Sequence, residues 1–308
     1  MQAKEPAIAN LSIIAEKPSR LVALGEALVV NVIWASTFVL IKIGLNDLGP
    51  LTLGGLRYFV GFLLLLPLMA RNDAVTPRAW SPRVWVRLAL IGMSAYALGN
   101  GALFWGLQFM PATTGSFLLS LTPLPVLFLG IFWLKEIPTR LQIAGMLVAV
   151  IGSLVFFSPG MRTGAPFAIG IVAFGLIGFA LFGILGRQVA RDRQVDTLSL
   201  TALPLAFGGG SLLLIALLVE GLPRFSTVAL VVVLWLAIIN TAFAYVLYNH
   251  SLQVLTAFEM NVLMNLAPLI TAMLAWLFLN ERLAPIQFAG IVIVIVGVAL
   301  VQRGSRET

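Results

Sequence analysis

Residues 119–136, LSLTPLPVLFLGIFWLKE, are echoed by residues 264–281, MNLAPLITAMLAWLFLNE, 145 positions later. The correspondence continues without a gap around these stretches. The matched polar, proline and glycine pairs are Gln108 and Gln253, Pro123 and Pro268, Glu136 and Glu281, Gln142 and Gln287, Gly145 and Gly290, and Gly152 and Gly297. Apolar composition explains matching leucines, but it does not explain Gln, Pro and Glu in register. The pattern therefore predicts two copies of one unit.

The composition is that of an integral membrane protein. Of the 308 residues, 60% are hydrophobic and only 10% are charged, and the mean hydropathy is +1.03. A soluble core does not need so much apolar surface. The chain has no cysteine and a single histidine, His250. Disulfides, thiol catalysis and a metal site built from Cys or clustered His are therefore excluded.

Motifs for catalysis and nucleotide binding are missing from the sequence. It contains no Gly-x-Ser-x-Gly and no glycine-rich phosphate loop before a Lys-Ser/Thr pair. We therefore predict that the protein is not an enzyme, has no catalytic residues and uses no cofactor. Any transport that it performs is then secondary or facilitated.

Ten windows are long and apolar enough to form spanning helices, which need about 20 residues each. They are 21–43, 51–70, 86–106, 113–134, 141–157, 167–187, 198–219, 228–248, 257–279 and 285–301. The short connections leave no room for a soluble domain. We predict a cytoplasmic tail at 1–20, a five-helix repeat at 21–158, a second five-helix repeat at 162–302 and a cytoplasmic tail at 303–308.

The distribution of Lys and Arg predicts the orientation. With the N-terminus in the cytoplasm, 14 of the 19 basic residues lie on the cytoplasmic side, 4 lie outside and Arg57 lies within a span, as the positive-inside rule expects. The net charge of +7 is thus a topology signal, and nucleic acid is not expected as a partner. Because each repeat has an odd number of spans, the second repeat enters the membrane from the opposite side. The predicted fold is all-α, with ten transmembrane helices in two inverted five-helix repeats, an architecture typical of transporters.

Several motifs resemble those of the EamA type within the drug/metabolite transporter superfamily. They are Ile33-Trp34-Ala35-Ser36-Thr37-Phe38, Leu56-Arg57-Tyr58, and the two segments that begin Leu121-Thr122-Pro123-Leu124 and Leu266-Ala267-Pro268-Leu269 and end at Glu136 and Glu281. The resemblance covers essentially the whole chain. Within the superfamily the chain is similar to bacterial amino-acid exporters of the YddG type. This similarity implies amino-acid export across the bacterial inner membrane.

Polar side chains inside spans are costly in lipid, so they are expected to face partners or a cavity. Such residues occur at matched depths in the two repeats, for example Ser120 and its equivalent Asn265. This pattern is expected of a midplane cavity between the repeats. The predicted substrate-binding residues are Trp34, Tyr96, Asn100, Ser120, Asn240, Tyr245 and Asn265. The alternative for each is hydrogen bonding or packing against a neighbouring helix.

The charged residues that the sequence places clearly inside spans are Arg57 and Glu259. A phosphorylated substrate would need several Lys or Arg, and a cationic drug would need a central carboxylate. The predicted site is therefore nearly neutral and suits a zwitterion or an uncharged amphiphile. Arg57 either binds a substrate carboxylate or snorkels outward toward Asp47, and a structural role is slightly favoured. Because Glu259 lies near one end of its span, facilitated diffusion or exchange is predicted, with weak dependence on a proton gradient.

The favoured interpretation is a secondary transporter that exports small metabolites, chiefly aromatic and other neutral amino acids. It is expected to work by alternating access as a multi-pass inner-membrane protein with both termini in the cytoplasm. Its expected partners are a zwitterionic small molecule and the lipid bilayer, and it is a monomer or a homodimer. The alternatives are a multidrug or other metabolite exporter coupled to protons, followed by a channel or a membrane-embedded enzyme.

Overall fold

The computed structural model describes residues 17–70, 80–110, 115, 118–160, 165–192, 195–267, 269–270 and 284–304. These residues form helices joined by short turns, and no β-strand occurs among them. The all-α prediction is therefore confirmed for the part of the chain that the structure describes.

The described helices follow the predicted windows closely. They are α1 Arg20–Gly44, α2 Pro50–Ala70, α3 Pro82–Gly106, α4 Leu118–Leu134, α5 Arg140–Phe157, α6 Pro166–Arg191, α7 Thr197–Val219, α8 Thr227–Ser251, α9 Ala257–Met264 and α10 Pro285–Gly304. Eight of them, all except α4 and α9, are long and apolar enough to cross a membrane.

The fourth and ninth windows coincide with the two shorter helices. A turn at residues 121–122 interrupts α4 immediately before Pro123, whose ring removes a main-chain donor. Much of the ninth window, including Pro268 and residues 271–283, lies outside the described residues. Eight spans are thus observed, and the ten-span inverted repeat stays a prediction.

Side-chain caps fix where the helices begin. At the start of α5, the Thr139 hydroxyl accepts a hydrogen bond from the Gln142 main-chain N–H at 3.2 Å, and Gln142 Oε1 accepts one from the Thr139 N–H at 2.8 Å. This reciprocal capping box satisfies two unpaired donors of the first turn. At the start of α10, Gln287 Oε1 accepts a hydrogen bond from the Ala284 N–H at 2.9 Å. The repeat pair Gln142 and Gln287 is therefore explained by helix initiation.

Wide π-helical turns interrupt several of the described helices. They are Met93–Asn100 in α3, Gly130–Leu134 in α4, Leu205–Gly209 in α7 and Ile238–Phe243 in α8. The segments in α3 and α8 begin 145 positions apart, which is the offset of the sequence repeat. Such turns shift the main-chain hydrogen bonds from the i→i+4 to the i→i+5 pattern and are frequent at functional sites.

Helices α5 and α10 pack against each other in antiparallel order through glycines. A Cβ atom at Gly297 would lie 2.6 Å from the Gly145 carbonyl oxygen, and one at Gly152 would lie 3.0 Å from the Gly290 carbonyl oxygen. The two backbones therefore touch with no room for a side chain, as in other close helix pairs of membrane proteins. The other described helices, except α7, contribute side chains to a central cavity.

Candidate substrate-binding site

A cavity of about 180 Å³ lies among α1, α2, α3, α4, α6, α8 and the end of α9. This is the volume of roughly six water molecules at about 30 Å³ each, so the cavity suits a small solute. Aromatic and aliphatic side chains form most of its wall, and a few polar groups interrupt them. That composition is typical of a small-molecule site.

All four tyrosines of the chain cluster at the cavity: Tyr58, Tyr245 and Tyr248 form part of the aromatic wall, and Tyr96 packs behind them. The ring of Trp34 lies 5.0 Å from that of Tyr245 and 5.5 Å from that of Tyr248, measured between centroids. Phe182 stacks on Tyr248 at 5.2 Å with an interplanar angle of 18°. These separations fall in the range where aromatic pairs attract each other beyond simple burial, so the rings form one continuous surface.

Amide side chains supply the polar part of the wall. Asn265 Nδ2 donates to the Ser120 main-chain carbonyl at 3.2 Å, which joins the end of α9 to α4. Asn100 Nδ2 donates to the Ala95 carbonyl at 2.8 Å, across the wide turn of α3. Asn265 therefore connects α9 to α4, whereas the Asn100 bond stays within α3.

Asn240, in the wide turn of α8, binds α8 to α1. Its Nδ2 group donates to the Ile33 carbonyl at 2.8 Å and to the Thr37 hydroxyl at 2.9 Å. Its own main-chain carbonyl accepts hydrogen bonds from Trp34 Nε1 at 3.1 Å and from Arg57 Nη2 at 3.3 Å. Asn240 is fully buried and is not among the lining residues. Asn240 therefore positions residues of the cavity wall without itself facing the cavity.

Arg57 is the cation of the cavity wall. It is only 3% exposed, its guanidinium lies 4.8 Å from the centre of the Tyr58 ring, and Nε donates to the Thr241 hydroxyl at 3.1 Å. Among the described residues no carboxylate lies within ion-pair distance of Arg57. The snorkelling alternative is wrong, because Arg57 is buried and lines the cavity, and Asp47 instead accepts a hydrogen bond from Ser226.

Five of the seven predicted site residues line the cavity, namely Trp34, Asn100, Ser120, Tyr245 and Asn265. The other two, Tyr96 and Asn240, lie one layer behind, with Tyr96 against the rings of Tyr58 and Tyr245 at 4.5 and 5.3 Å. Substrate binding by these residues stays a prediction.

Lining residues outside that predicted set include Tyr58, Phe182, Tyr248 and Asn261. Tyr248 follows Tyr245 by three positions, so the two share one face of α8, and this spacing could have predicted it. Phe182 sits in a continuous apolar run and carries no such signal.

The sequence matches one known family over nearly its whole length. A model of the EamA-like transporter family matches residues 22–158 and again residues 166–303. The chain belongs to the EamA-like transporter family. It is therefore a multi-pass membrane transporter, and the resemblance found in the motifs is confirmed.

Relatives of this EamA protein include named amino-acid exporters. A probable terminal-alkyne amino-acid exporter from Streptantibioticus cattleyicolor is 28% identical over 286 residues, which cover 90% of this chain and 92% of the relative. A probable amino-acid metabolite efflux pump from Escherichia coli is 26% identical over 292 residues, 91% of this chain and 94% of the relative. Several further relatives are described as transporters without a stated substrate.

The overall fold of this EamA protein is shared with a solved structure. That structure is 17% identical, aligns with a TM-score of 0.79, and the match covers 94% of this chain and all of the other. The likeness concerns the fold alone.

A carboxylate that the sequence-based inventory of charges in spans left out, although it lies in the window 21–43, is found in the first helix of the EamA protein. Glu26 is inside α1, and its Oε1 lies 2.7 Å from Nδ1 of His250 near the end of α8. Glu259, in contrast, is held by Arg20 at 2.6 Å and by the Thr256 main-chain N–H at 2.8 Å. The prediction that Glu259 is the sole carboxylate within the spans is therefore wrong, and a facilitator is no longer favoured on that ground.

Proposed function

We propose that this EamA-family transporter exports zwitterionic amino acids with neutral, chiefly aromatic or aliphatic, side chains. The observation that carries the proposal is Arg57, a buried cation in a cavity wall whose other described lining residues are all neutral. The substrate enters the cavity from the cytoplasm and leaves outward by alternating access. Substrate release at the outer face then requires no nucleotide and no covalent step.

The carboxylate of the amino acid is bound by Arg57. A buried charge is costly unless it is paired and hydrogen-bonded, and two of the described interactions of Arg57 are to a neutral hydroxyl and a carbonyl. The planar guanidinium matches a carboxylate in a two-point geometry that lysine cannot form. An anionic group of the substrate therefore completes the charge balance of the site.

The remainder of the amino acid is bound by the aromatic wall and the amides. The rings of Trp34, Tyr245 and Tyr248 offer apolar faces to a side chain and negative ring faces to an ammonium group. Asn265, Asn261 and Ser120, at α9 and α4, supply polar atoms to the cavity wall. A cationic drug fits less well, since none of the described lining residues is acidic.

Alternating access is supported by contacts between equivalent positions. The contact of Gly145 with Gly297 is matched, after the 145-residue offset, by the contact of Gly290 with Gly152. An antiparallel pair of equivalent helices is what an inverted repeat produces. An inverted repeat in turn allows two mirror-related states that open to opposite sides of the membrane around a fixed site.

The basic residues support the proposed orientation in an inner membrane. The excess of Lys and Arg at one set of helix ends favours cytoplasmic termini in an inner membrane. Export is then movement from the membrane face whose loops carry most of the Lys and Arg residues to the opposite face.

A direct test is transport by the purified full chain in liposomes. We expect uptake of labelled L-phenylalanine and L-leucine down their gradients, and much less uptake of phenethylamine, which lacks the carboxylate. Protein-free liposomes supply the background. Equal transport of phenylalanine and phenethylamine, or uptake of neither amino acid, would refute the proposed substrate class.

A further inference from the structure

The long-range ion pairs of the described residues gather at one end of the helices. They join Arg20 with Glu259, Glu136 with Arg187 and Arg191, and Glu26 with His250. The partners lie in or next to different EamA segments, at the end that the Lys/Arg asymmetry assigns to the cytoplasm. Arg–carboxylate pairs keep their charges near neutral pH, whereas histidine is the side chain that ordinarily titrates between about pH 5 and 8.

The pair of a partly buried Glu26 and a buried His250 bridges α1 to α8. The side chains are 15% and 3% exposed, and Glu26 Oε2 also accepts a hydrogen bond from the Ser251 hydroxyl at 3.0 Å. Glu26 lies six residues past the start of α1, about 9 Å along the axis at 1.5 Å per residue. Neither residue lines the cavity, but Trp34, eight residues or about 12 Å farther along α1, does. The pair therefore lies between the level of the cavity and the end of α1 that the Lys/Arg asymmetry assigns to the cytoplasm.

The charged groups of α9 and α6 near this pair have partners of their own. Arg20 of α1 is bound by Glu259 of α9 at 2.6 Å and by the Gln302 side chain of α10 at 3.2 Å. Arg187 of α6 binds Glu136 at 3.0 Å and the Leu252 carbonyl at 2.7 Å. Each of these arginines is therefore matched by a carboxylate.

Three further described charges lie near this end, on Asp196, Lys17 and Arg303. Asp196, at the start of α7, accepts a hydrogen bond from the Ser199 main-chain N–H at 3.0 Å, and Lys17 and Arg303 are exposed. His250 also lies in the last turn of α8, where the helix dipole favours a positive charge. Glu26 is the carboxylate that pairs with the His250 imidazole when the imidazole is protonated.

We propose that Glu26 and His250 form a proton-binding site that closes the cytoplasmic end of the cavity. With a proton on the imidazole, the two side chains form an ion pair of zero net charge between α1 and α8. When that proton leaves to cytoplasmic water, a net charge of −1 remains on the partly buried Glu26. A buried charge without a counter-charge is costly, so water entry and separation of α1 from α8 become favourable. Proton binding therefore favours the closed end, and proton loss favours the open end.

The test uses the absence of cysteine from the chain. A single cysteine at the cavity residue Met264 is labelled by an impermeant maleimide in inside-out and in right-side-out vesicles. The rate at each pH is divided by that of the same cysteine in the unfolded chain. In inside-out vesicles, we expect the normalised rate to rise about tenfold from pH 5.5 to 8.5, as loss of one charge-assisted contact allows. No substrate is needed, so the outcome is independent of the proposed amino-acid export.

Two substitutions of His250 separate the charge from the packing. His250→Gln should label rapidly at every pH, and His250→Lys, with a permanent charge, should label slowly at every pH. Glu26→Gln tests the pair from its other side and should also remove the pH dependence. Glu259→Gln is the matched control, because its partner Arg20 does not titrate here, and it should keep the rise. A flat profile in the parent protein, or an unchanged rise in Glu26→Gln, would overturn the proposal.

Discussion

The side chain of Asn265 donates a hydrogen bond to the main-chain carbonyl of Ser120, the residue 145 positions before it. These are equivalent positions of the sequence repeat. If the repeats are related by a twofold axis, two equivalent residues can touch only beside that axis. The contact therefore marks where the axis would pass the cavity, at the meeting of α4 and α9.

Removal of the Asn265 side chain, and with it the hydrogen bond to Ser120, should impair transport more than removal of the Asn31 side chain. We expect Asn265→Ala to lower the rate of amino-acid uptake in liposomes about threefold to tenfold, since a buried hydrogen bond contributes roughly 0.5–1.5 kcal/mol. Asn31→Ala is the control, because the Asn31 side chain bonds within its own helix, to the Ala27 carbonyl, and does not line the cavity. Equal uptake by Asn265→Ala and Asn31→Ala would show that the Asn265 side chain contributes to helix packing only.

Arg57 should set the preference for a carboxylate. Arg57→Gln removes the charge, and we expect its apparent KM for L-phenylalanine to rise about tenfold or more, because hydrogen bonds to charged groups contribute roughly 1.5–3 kcal/mol. Arg57→Lys keeps the charge but loses the planar guanidinium, so its apparent KM should lie between that of the parent protein and that of Arg57→Gln. Thermal unfolding in detergent checks that both variants are folded. A variant that transports L-phenylalanine with the parental KM would leave Arg57 a structural role only.

The glycine contact of α5 and α10 should be intolerant of a methyl group. In Gly297→Ala the new Cβ would lie 2.5 Å from the Ala149 nitrogen, and overpacking of this kind costs about 1–3 kcal/mol. We expect Tm to fall by several degrees. Gly170→Ala in α6 is the control, since a Cβ atom added at Gly170 would meet no neighbouring side chain or helix within 4 Å. Its Tm should stay equal or rise slightly.

The orientation can be tested by thiol labelling in intact cells. Single cysteines introduced at residues 72–80 should be protected from an impermeant maleimide, because the basic residues assign this loop to the cytoplasm. A cysteine at Leu222, in the connection between α7 and α8, should react readily. Reversed labelling of the two positions would invert every span and the direction of transport.

Long apolar runs made the helices predictable. The window 51–70 became α2 Pro50–Ala70, and the window 167–187 became the longer α6 Pro166–Arg191. In lipid a helix satisfies every backbone group internally, so a run of about 20 apolar residues has few other solutions. Hydropathy did not predict the interruption of α4, because the turn before Pro123 depends on local main-chain geometry.

The site could be predicted only in part. Matched polar positions pointed to Ser120 and Asn265, which do line the cavity. Tyr96 lies behind Tyr58, because the way helices pack decides which of two stacked rings reaches the cavity. Glu26 and His250 are 224 positions apart, and no local pattern links them. Helix periodicity gives the face of a residue but not its partner.

The number of residues in the π-helical segment of α8 determines the direction in which the cavity rings point. Tyr245 and Tyr248 follow the π-helical segment Ile238–Phe243 directly. Each residue of an α-helix turns the chain by about 100°, so deleting one residue from that segment would change the direction of both rings relative to Trp34 without substituting either tyrosine. Single-residue insertions and deletions, rather than substitutions, would then be the steps by which related chains redirect this wall toward other solutes.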